Sequence, residues 1–159
     1  TSHISATATY IAPEIHWLKQ PYLAPPLGVE DKKTPQKLRD VAGKVILMDF
    51  WATWCNPCVQ AVPQVEAIYQ KYKDKGLQVW GLAMEVDGGK NIDRFMADHA
   101  MSYVVGMPDN FTRAYAYKCE SIPKIVLIDK KGMVRFEAVG YAPAGHEGLE
   151  AAIEALLAE

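Results

Sequence analysis

Two cysteines, Cys55 and Cys58, follow an apolar run from Val45 to Met48 and open a segment with helical periodicity. Backbone N–H groups at the start of a helix stabilise a thiolate, so Cys55 is predicted to be an exposed, nucleophilic thiol. Cys58 lies one turn further along the same face and is predicted to resolve the mixed disulfide that Cys55 forms. The pair predicts thiol–disulfide exchange, with no cofactor beyond its own redox-active disulfide.

The residues beside this pair suit the same chemistry. Pro57 fits the first helical turn, where a missing N–H costs nothing, and it stiffens the loop between the sulfurs. Asn56 leaves no charge beside Cys55. A Cys-x-x-Cys pair also occurs in zinc sites, but these need two further ligands, and the sequence has no second paired spacing of cysteine or histidine. We therefore expect no metal.

The stretch that carries the cysteines resembles the active-site segment of the thioredoxin superfamily. The apolar strand is followed by Asp49, by a Phe-Trp-Ala run, by Trp54 and by Cys-x-Pro-Cys. Pro63, five residues after Cys58, resembles the proline that kinks the active-site helix of that family.

A second proline extends the resemblance. Ile122-Pro123 precedes the apolar segment 124–129 and resembles the family's cis-proline, which packs beside the sulfurs. The resemblance covers roughly residues 36 to 158. It implies an α/β, thioredoxin-like fold, with a central mixed β-sheet flanked by helices on both faces.

Hydrophobic periodicity places the other elements. A helix follows the cysteines, and a mostly apolar strand runs from Leu77 to Val86. Residues 124–129 and 133–139 read as an antiparallel hairpin. An amphipathic helix closes the chain, with its apolar face at Leu149, Ile153, Leu156 and Leu157.

An insertion is predicted between the strand 77–86 and Pro123. The pattern indicates a helix over 92–99, a short strand at 103–105 and a short helix capped by Asp109. This helix-strand-helix insertion before the cis-proline resembles the TlpA/ResA/CcmG branch of the superfamily. Members of that branch are typically exported, often membrane-tethered, and reduce extracytoplasmic disulfides such as those of cytochrome c precursors or copper-site proteins.

Residues 1–35 are predicted to form an irregular N-terminal arm before a thioredoxin-like domain at 36–159. The five prolines of the arm prevent a long helix there. A short helix over 35–41, with Thr34 as its N-cap, is expected at the boundary. The chain begins at Thr1 rather than Met, so we expect that processing or design removed whatever lay upstream.

Asp49 resembles the buried acid beneath the thioredoxin dithiol. Burial disfavours a carboxylate, so the pKa of Asp49 should be raised, and the acid is expected to accept the proton of Cys58 through a water molecule. Glu85 and Asp87 lie at the carboxyl end of the adjoining strand and are candidates to share this proton relay. The alternative for Asp49 is an acid that only satisfies nearby polar groups.

The resemblance places the client around Cys55, and we expect it to dock on Trp54, Asn56, Pro57, Ile122 and Lys124. The Ile122 backbone is expected to be free to pair with an extended client segment. Lys124 would add a cation that favours an acidic client or lowers the pKa of Cys55. A solvated lysine at the start of a strand is the alternative.

The chain departs from the TlpA-like branch at two positions. Many members carry Glu three residues after the second cysteine, where this chain has Ala61, and many carry Thr after the cis-proline, where this chain has Lys124. Both departures bear on the choice of client. Cys119 is predicted to be a buried small hydrophobic residue rather than a third redox thiol.

Composition agrees with one domain of this class. The chain has 159 residues, of which 50% are apolar, and a net charge of -2, which gives no reason to expect nucleic acid as a partner. No apolar run approaches the ~18 residues that span a bilayer. The resemblance implies an extracytoplasmic, periplasmic location, a membrane anchor in the full-length protein, protein disulfides as clients, and an upstream membrane or periplasmic reductant.

These features predict a protein disulfide oxidoreductase that acts as a reductant outside the cytoplasm, since Cys-x-Pro-Cys with Asp49 resembles thioredoxin itself. Two alternatives stay open. A copper-handling module would use two cysteines and a histidine as ligands, but copper carriers of this kind usually space their cysteines by three residues. A thioredoxin-like peroxidase should carry Pro-x-x-x-Thr before its cysteine, and none precedes Cys55.

Overall fold

A computed structural model of the chain describes residues 16–31, 33 and 35–159. In chain order, the elements of this part are β1 (Trp17–Leu23), β2 (Gly28–Glu30), β3 (Gln36–Lys37), a 3-10 helix (Leu38–Val41), β4 (Val45–Trp51), α1 (Asn56–Tyr72), a 3-10 helix (Lys73–Lys75), β5 (Leu77–Ala83), α2 (Ile92–Asp98), β6 (Val104–Pro108), α3 (Phe111–Tyr115), β7 (Lys124–Ile128), β8 (Met133–Val139) and α4 (Leu149–Leu157).

The strands of this part form one sheet of eight, in the order β1-β8-β7-β4-β5-β6-β2-β3. β4, β5 and β6 run parallel, whereas β7 pairs antiparallel with β4 and with β8. The sheet is therefore mixed, and helices flank it, which confirms the predicted thioredoxin-like α/β fold. Over the described residues, no helix is both long and apolar enough to cross a membrane.

The central position of β4 follows from its sequence. All seven residues of β4 are buried, and β5 and β7 on either side are almost as fully buried. A strand covered on both faces needs a continuous apolar run rather than an alternating one. Asp49 is the single ionisable residue of β4, so the middle of the sheet carries one acid among apolar neighbours.

Helix α1 begins directly after the turn that ends β4. Its buried face includes Val62, Val65, Ile68 and Tyr72, as the periodicity predicts. Pro63 lies inside the helix on the exposed side, where its ring meets solvent rather than the sheet. The hairpin β7–β8 and the closing helix α4 also match their predicted positions.

The N-terminal segment corrects the prediction of an irregular arm. β1 pairs with β8 at one edge of the sheet, and β2 pairs with β6 and β3 at the other. The prediction failed because β1 and β2 pair with β8 and β6, which lie far along the chain, and the prolines obscured the weak local pattern. The first 15 residues of the predicted arm, and Thr34 as the predicted cap, lie outside the described residues.

The bounds and caps of some elements also differ from the prediction. β5 ends at Ala83, three residues before the predicted end, and the predicted helix over 35–41 is a short strand followed by a 3-10 helix. The insertion α2–β6–α3 is present as predicted, but Asn110 caps α3, because its side chain accepts a hydrogen bond from the N–H of Arg113 at 2.9 Å. Asp109 instead accepts from the N–H of Gly28 at 2.9 Å.

Candidate active site

The two cysteines lie at the N-terminus of α1 and are joined as a disulfide, with an S–S distance of 2.31 Å. Cys55 is the N-cap of the helix, and its sulfur accepts a hydrogen bond from the N–H of Cys58 at 3.3 Å. That N–H is one of the donors a helix start leaves without an intrahelical partner. The structure thus directs a backbone donor at the sulfur of Cys55, as the position at a helix start predicts.

The predicted exposure of Cys55 is wrong for this disulfide form, because the residue has 0% of its surface exposed. Its sulfur is bonded to Cys58, which is also buried, and lies 3.9 Å from the carbonyl oxygen of Ile122. A sulfur held between a second sulfur and a neighbouring loop has little surface left for solvent.

The Ile122–Pro123 peptide bond is cis, which confirms that prediction. The bond lies directly before β7, and it places the loop against the dithiol. Ile122 is itself buried, so the expected free edge is closed in this form of the protein. Pairing of a client with the Ile122 backbone stays a prediction.

Asp49 lies in the middle of β4, two residues before the end of the strand, and is 3% exposed. Its cross-strand neighbours are Gly81 on β5 and Ile125 on β7, neither of which offers a polar side chain. Within the described part of the chain, Oδ1 of Asp49 has no hydrogen-bond partner. Burial raises the pKa of Asp49 from its ordinary 3.8 to about 7. Asp49 therefore changes charge in the range where a general base is useful.

A cavity of ≈ 480 Å³ reaches Asp49 from the side of α1. Its lining comes from β4, α1, the cis-proline loop and the segment after β8, and includes Asp49, Ala61, Gln64, Pro123, Gly140 and His146. The cavity passes the position where many TlpA-like chains carry a glutamate and this chain has Ala61, so a small side chain there leaves space beside Asp49.

The two other acids predicted to share the proton relay lie in different environments. Glu85 is buried, and its Oε1 accepts hydrogen bonds from the N–H of Thr53, at 3.0 Å, and from the Thr53 hydroxyl. Asp87 is exposed and accepts from the N–H of Gly89 at 3.0 Å. Glu85 thus fixes the turn that leads into Cys55, whereas Asp87 closes a turn of its own.

The structure contradicts the expectation that Lys124 is an exposed docking cation and the alternative of a solvated lysine, because this residue is 3% exposed and its ammonium group faces away from solvent. The predicted effect of Lys124 on Cys55 stays a prediction. Nζ lies 2.9 Å from a carboxylate oxygen of Glu137 and donates to the carbonyl oxygens of Tyr117, at 2.7 Å, and Lys118, at 3.0 Å. Three partners satisfy its three donors. Lys124 is therefore a buried structural cation and not part of a docking surface.

The other predicted docking residues surround the dithiol at the surface. Trp54 is 46% exposed and Asn56 is exposed, while Pro57 is half-buried at the start of α1. Val86, which the sequence did not single out, is 79% exposed just after Glu85. Trp54 and Pro57 lie in or next to the turn that carries Cys55, and Val86 follows Glu85, which is hydrogen-bonded to Thr53 of that turn. Their role in docking stays a prediction.

The third cysteine is buried, as predicted. Cys119 is 2% exposed and outside the disulfide, and burial raises the pKa of its thiol to about 12. A thiol with that pKa is almost wholly protonated at neutral pH, so it is a poor nucleophile. Among the described residues, no three His, Cys, Asp or Glu side chains are grouped in a way that would hold a metal ion.

Comparisons with known proteins agree with this geometry. The thiol-disulfide oxidoreductase ResA of Bacillus anthracis is 32% identical over 113 residues, which are 70% of this chain and 63% of that protein. Protein DipZ of Mycobacterium bovis is 38% identical over 106 residues, which are 64% of this chain and 15% of that protein. The chain therefore matches less than two thirds of the length of ResA.

Solved structures show the same fold. A protein described as a thiol:disulfide interchange protein DsbE from Chlorobium tepidum aligns with a TM-score of 0.79 and 34% identity, over 88% of this chain and 99% of that chain. A thiol:disulfide interchange protein from Bacteroides sp. aligns with a TM-score of 0.72 and 20% identity, over 89% of this chain and 92% of that chain, and shows the fold alone.

The fold and the dithiol site together define a thioredoxin-like protein of the TlpA/ResA/CcmG type. The family model described as Redoxin matches residues 12–153, so the chain belongs to the Redoxin family.

Sequence reasoning missed three features of the site. Each of them joins residues from separate elements: the hydrogen bonds from Thr53 to Glu85, the cavity lined by Gln64 and His146, and the ion pair of Lys124 with Glu137. The only sequence signal for them was a surplus of polar residues in segments predicted to be buried, such as Lys124 at the start of an apolar strand.

Proposed function

We propose that this protein is a thiol:disulfide oxidoreductase that reduces protein disulfides by dithiol exchange at Cys55 and Cys58. The observation that carries the proposal is the joint position of the dithiol, the cis-Pro123 loop and the buried Asp49 at one end of α1 and β4. The relatives named thiol-disulfide oxidoreductase and thiol:disulfide interchange protein support the same reaction.

The reaction starts from the reduced dithiol. The Cys55 thiolate attacks one sulfur of a client disulfide, forms a mixed disulfide and releases the other client sulfur as a thiolate, which takes a proton from solvent. Cys58 then attacks the sulfur of Cys55. The Cys55–Cys58 disulfide forms, and the bond from Cys55 to the client breaks. The second client sulfur leaves as a thiolate and takes a proton from solvent, so the client has gained two electrons from the enzyme and two protons from solvent.

The second attack requires the Cys58 thiol to lose its proton. Asp49 is proposed to accept that proton through a water molecule, because its carboxyl group is partly ionised near neutral pH. The N–H of Cys58 at 3.3 Å from Cys55 Sγ, together with the helix N-terminus, stabilises Cys55 as the attacking thiolate. No cofactor other than the dithiol takes part in this scheme.

The direction of transfer is proposed to be reduction of the client. Strong oxidants of this superfamily stabilise the attacking thiolate strongly, whereas the residue next to Cys55 is the uncharged Asn56 and Lys124 points to Glu137. The reduction potential should therefore lie nearer ~-270 mV than ~-120 mV. Equilibration with glutathione measures it, and a value above roughly -150 mV contradicts the reductant assignment.

The compartment and the partners belong to the same proposal. Protein disulfides persist outside the cytoplasm, so a reductant of such bonds is expected to work there, with cytochrome c precursors or copper-site proteins as clients. An upstream membrane or periplasmic reductant would return Cys55–Cys58 to the dithiol after each turnover. The relative named thiol-disulfide oxidoreductase supports protein disulfides as the substrate class.

Trapping tests the proposed function. Cys58→Ser should hold Cys55 in a mixed disulfide with its client, because the resolving attack is lost. Mass spectrometry of the complexes from cells identifies the client, and Cys119→Ser is the matched control, since this thiol is buried. If Cys55→Ser traps clients and Cys58→Ser does not, the two roles are reversed; if neither traps, dithiol exchange is not the function.

A further inference from the structure

The cavity beside Asp49 connects the acid with the protein surface. Ala61 lies inside it and is buried, whereas Ala67, two turns further along α1, lines it and is exposed. A water molecule occupies about 30 Å³ in the liquid, so a cavity of ≈ 480 Å³ has room for a chain of waters. Polar groups of Asp49 and Gln64 on its wall offer hydrogen-bond partners to such waters.

One wall of the cavity, the outer wall, is the segment from Gly140 to His146, which follows β8. Gln64 fastens this segment to α1, because its side-chain amide donates to the carbonyl oxygens of Ala142, at 2.9 Å, and Pro143, at 3.2 Å. At its other end, the N–H of Gly140 donates to the carbonyl oxygen of Pro123 at 2.8 Å. The wall is thus tied both to the helix that carries the cysteines and to the cis-proline loop.

We infer that this cavity is the route by which Asp49 exchanges its proton with solvent, and that Gln64 is a positioning residue that holds its outer wall in place. The inference rests on the proposed function and adds the path of the proton to it. Asp49 accepts the proton of Cys58 as Cys58 attacks Cys55, and the waters of the cavity carry a proton from Asp49 to bulk solvent during the same step, so the rate of resolution depends on this route.

Asp49 is the group facing the cavity whose charge changes near neutral pH, because the other titratable groups there keep their charge state. Lys71 and Glu150 form an ion pair at 2.7 Å, which raises the pKa of Lys71 and lowers the pKa of Glu150. Burial, and then His16, lower the pKa of His146. Both members of the ion pair stay charged through the neutral range, and His146 stays neutral there.

A larger side chain at the mouth tests the route. Ala67→Leu narrows the opening without touching the cysteines or Asp49. It should slow resolution of a preformed Cys55 mixed disulfide about tenfold, part of the ~10²–10⁴ that general base catalysis contributes, and leave the first attack by Cys55 unchanged. Stopped-flow kinetics across pH measure both steps. Ala97→Leu, the same change at an exposed position of α2, is the matched control and should change neither.

A second variant tests whether Gln64 holds the outer wall of the cavity. Gln64→Ala removes both hydrogen bonds to the wall, so resolution should become faster in the presence of imidazole buffer, because a small base can then enter. The route is wrong if Ala67→Leu resolves at the wild-type rate while Asp49→Asn is slow. If Asp49→Asn also resolves at the wild-type rate, the general-base step of the proposed function fails instead. If Gln64→Ala slows resolution and imidazole has no effect, Gln64 does not hold a wall.

Discussion

Asp49 and Lys124 are both ionisable residues on buried strands, and the fold treats them in opposite ways. Lys124 Nζ meets the Glu137 carboxylate and two carbonyl oxygens, so its charge is balanced inside the protein. Oδ1 of Asp49 has no such partner in the described residues. A buried charge whose hydrogen bonds and ion pair are all formed has a structural role. A buried acid without such partners has a raised pKa, which suits proton transfer.

The burial of Asp49 was predicted correctly from the sequence and that of Lys124 was not, for a physical reason. The pattern around Asp49 is local, because an acid in an uninterrupted apolar strand is buried wherever that strand lies. The environment of Lys124 depends on Glu137, which pairs with it only through the register of β7 and β8. A side-chain partner from another strand cannot be read from a residue's own segment.

The ion pair of Lys124 gives a prediction for stability. Lys124→Met should lower the free energy of unfolding by about 3 kcal/mol, because it leaves the Glu137 carboxylate mostly buried without its cation. The double variant Lys124→Met, Glu137→Leu should recover a large part of that loss, since an apolar pair can replace an ion pair. Urea unfolding of the wild type, both single variants and the double variant measures the effect.

Client reduction by the same variants checks the assignment of Lys124. The rate per folded molecule should equal the wild-type rate, because Nζ contacts β8 and the end of α3 rather than the dithiol. A lower rate with an acidic client, at unchanged stability, would restore Lys124 to the docking surface.

At the scale of elements, the turn between β4 and α1 is held by the residues that directly follow β5. Met84 N–H donates to the carbonyl oxygen of Trp51 at 2.7 Å, and the Glu85 carboxylate accepts twice from Thr53. The end of β5 thus fixes the segment that carries Cys55. The strand was predictable from its apolar run, but this use of its last residues was not, since it depends on β4 and β5 lying side by side.

Glu85 therefore has a positioning role that substitution can distinguish from proton relay. Glu85→Gln keeps an oxygen that can accept from Thr53, so stability, first attack and resolution should stay near the wild type. Glu85→Ala leaves the Thr53 N–H without its partner, which should cost about 1–3 kcal/mol and slow the attack by Cys55 several-fold. Asp87→Ala should have little effect, since Asp87 is exposed.

The measurements are urea unfolding and single-turnover kinetics of both steps. Slow resolution in Glu85→Gln, with normal stability and normal first attack, would show that Glu85 moves a proton rather than holding the turn.

At the scale of the whole molecule, the sheet is wider than the sequence predicted. The elements from β4 to α4 were found because each has its own periodicity and turn signals. β1, β2 and β3, at the two ends of the strand order, were missed because strands near the edges gain their stability from their partners and carry weak patterns of their own. The local pattern therefore predicts the core of the fold and the cysteine site. The edges of the sheet and the cavity wall depend on pairing between distant segments, which the local pattern does not show.

Asp49 also affects the stability of the whole protein, and the sign follows from its raised pKa. Between the ordinary pKa of 3.8 and the folded value of about 7, the folded state binds a proton that the unfolded state has lost. This contribution to stability is therefore fully present below about pH 4, falls as the pH rises, and is gone above about pH 7. The carboxyl groups of Glu66, Asp109 and Asp129 act in the opposite direction: burial raises their pKa values, but hydrogen bonds outweigh it and the net shift is downward.

The Asp49 carboxyl group stabilises the folded state less as the pH rises. Asp49→Asn should therefore have a higher free energy of unfolding than the wild type above about pH 7. The upper limit is about 4 kcal/mol, since the pKa moves from 3.8 to about 7 and each pH unit corresponds to ~1.4 kcal/mol. The gain should shrink to nothing near pH ~3, below the ordinary pKa of 3.8, where the wild-type acid is protonated in both states.

Asp129→Asn is the control of opposite sign: it should destabilise the protein at neutral pH and have less effect in acid. Urea unfolding of the three proteins from about pH 3 to about pH 8 measures these effects, because a stability difference between Asp49→Asn and wild type that is the same at every pH would mean that Asp49 does not titrate in this range.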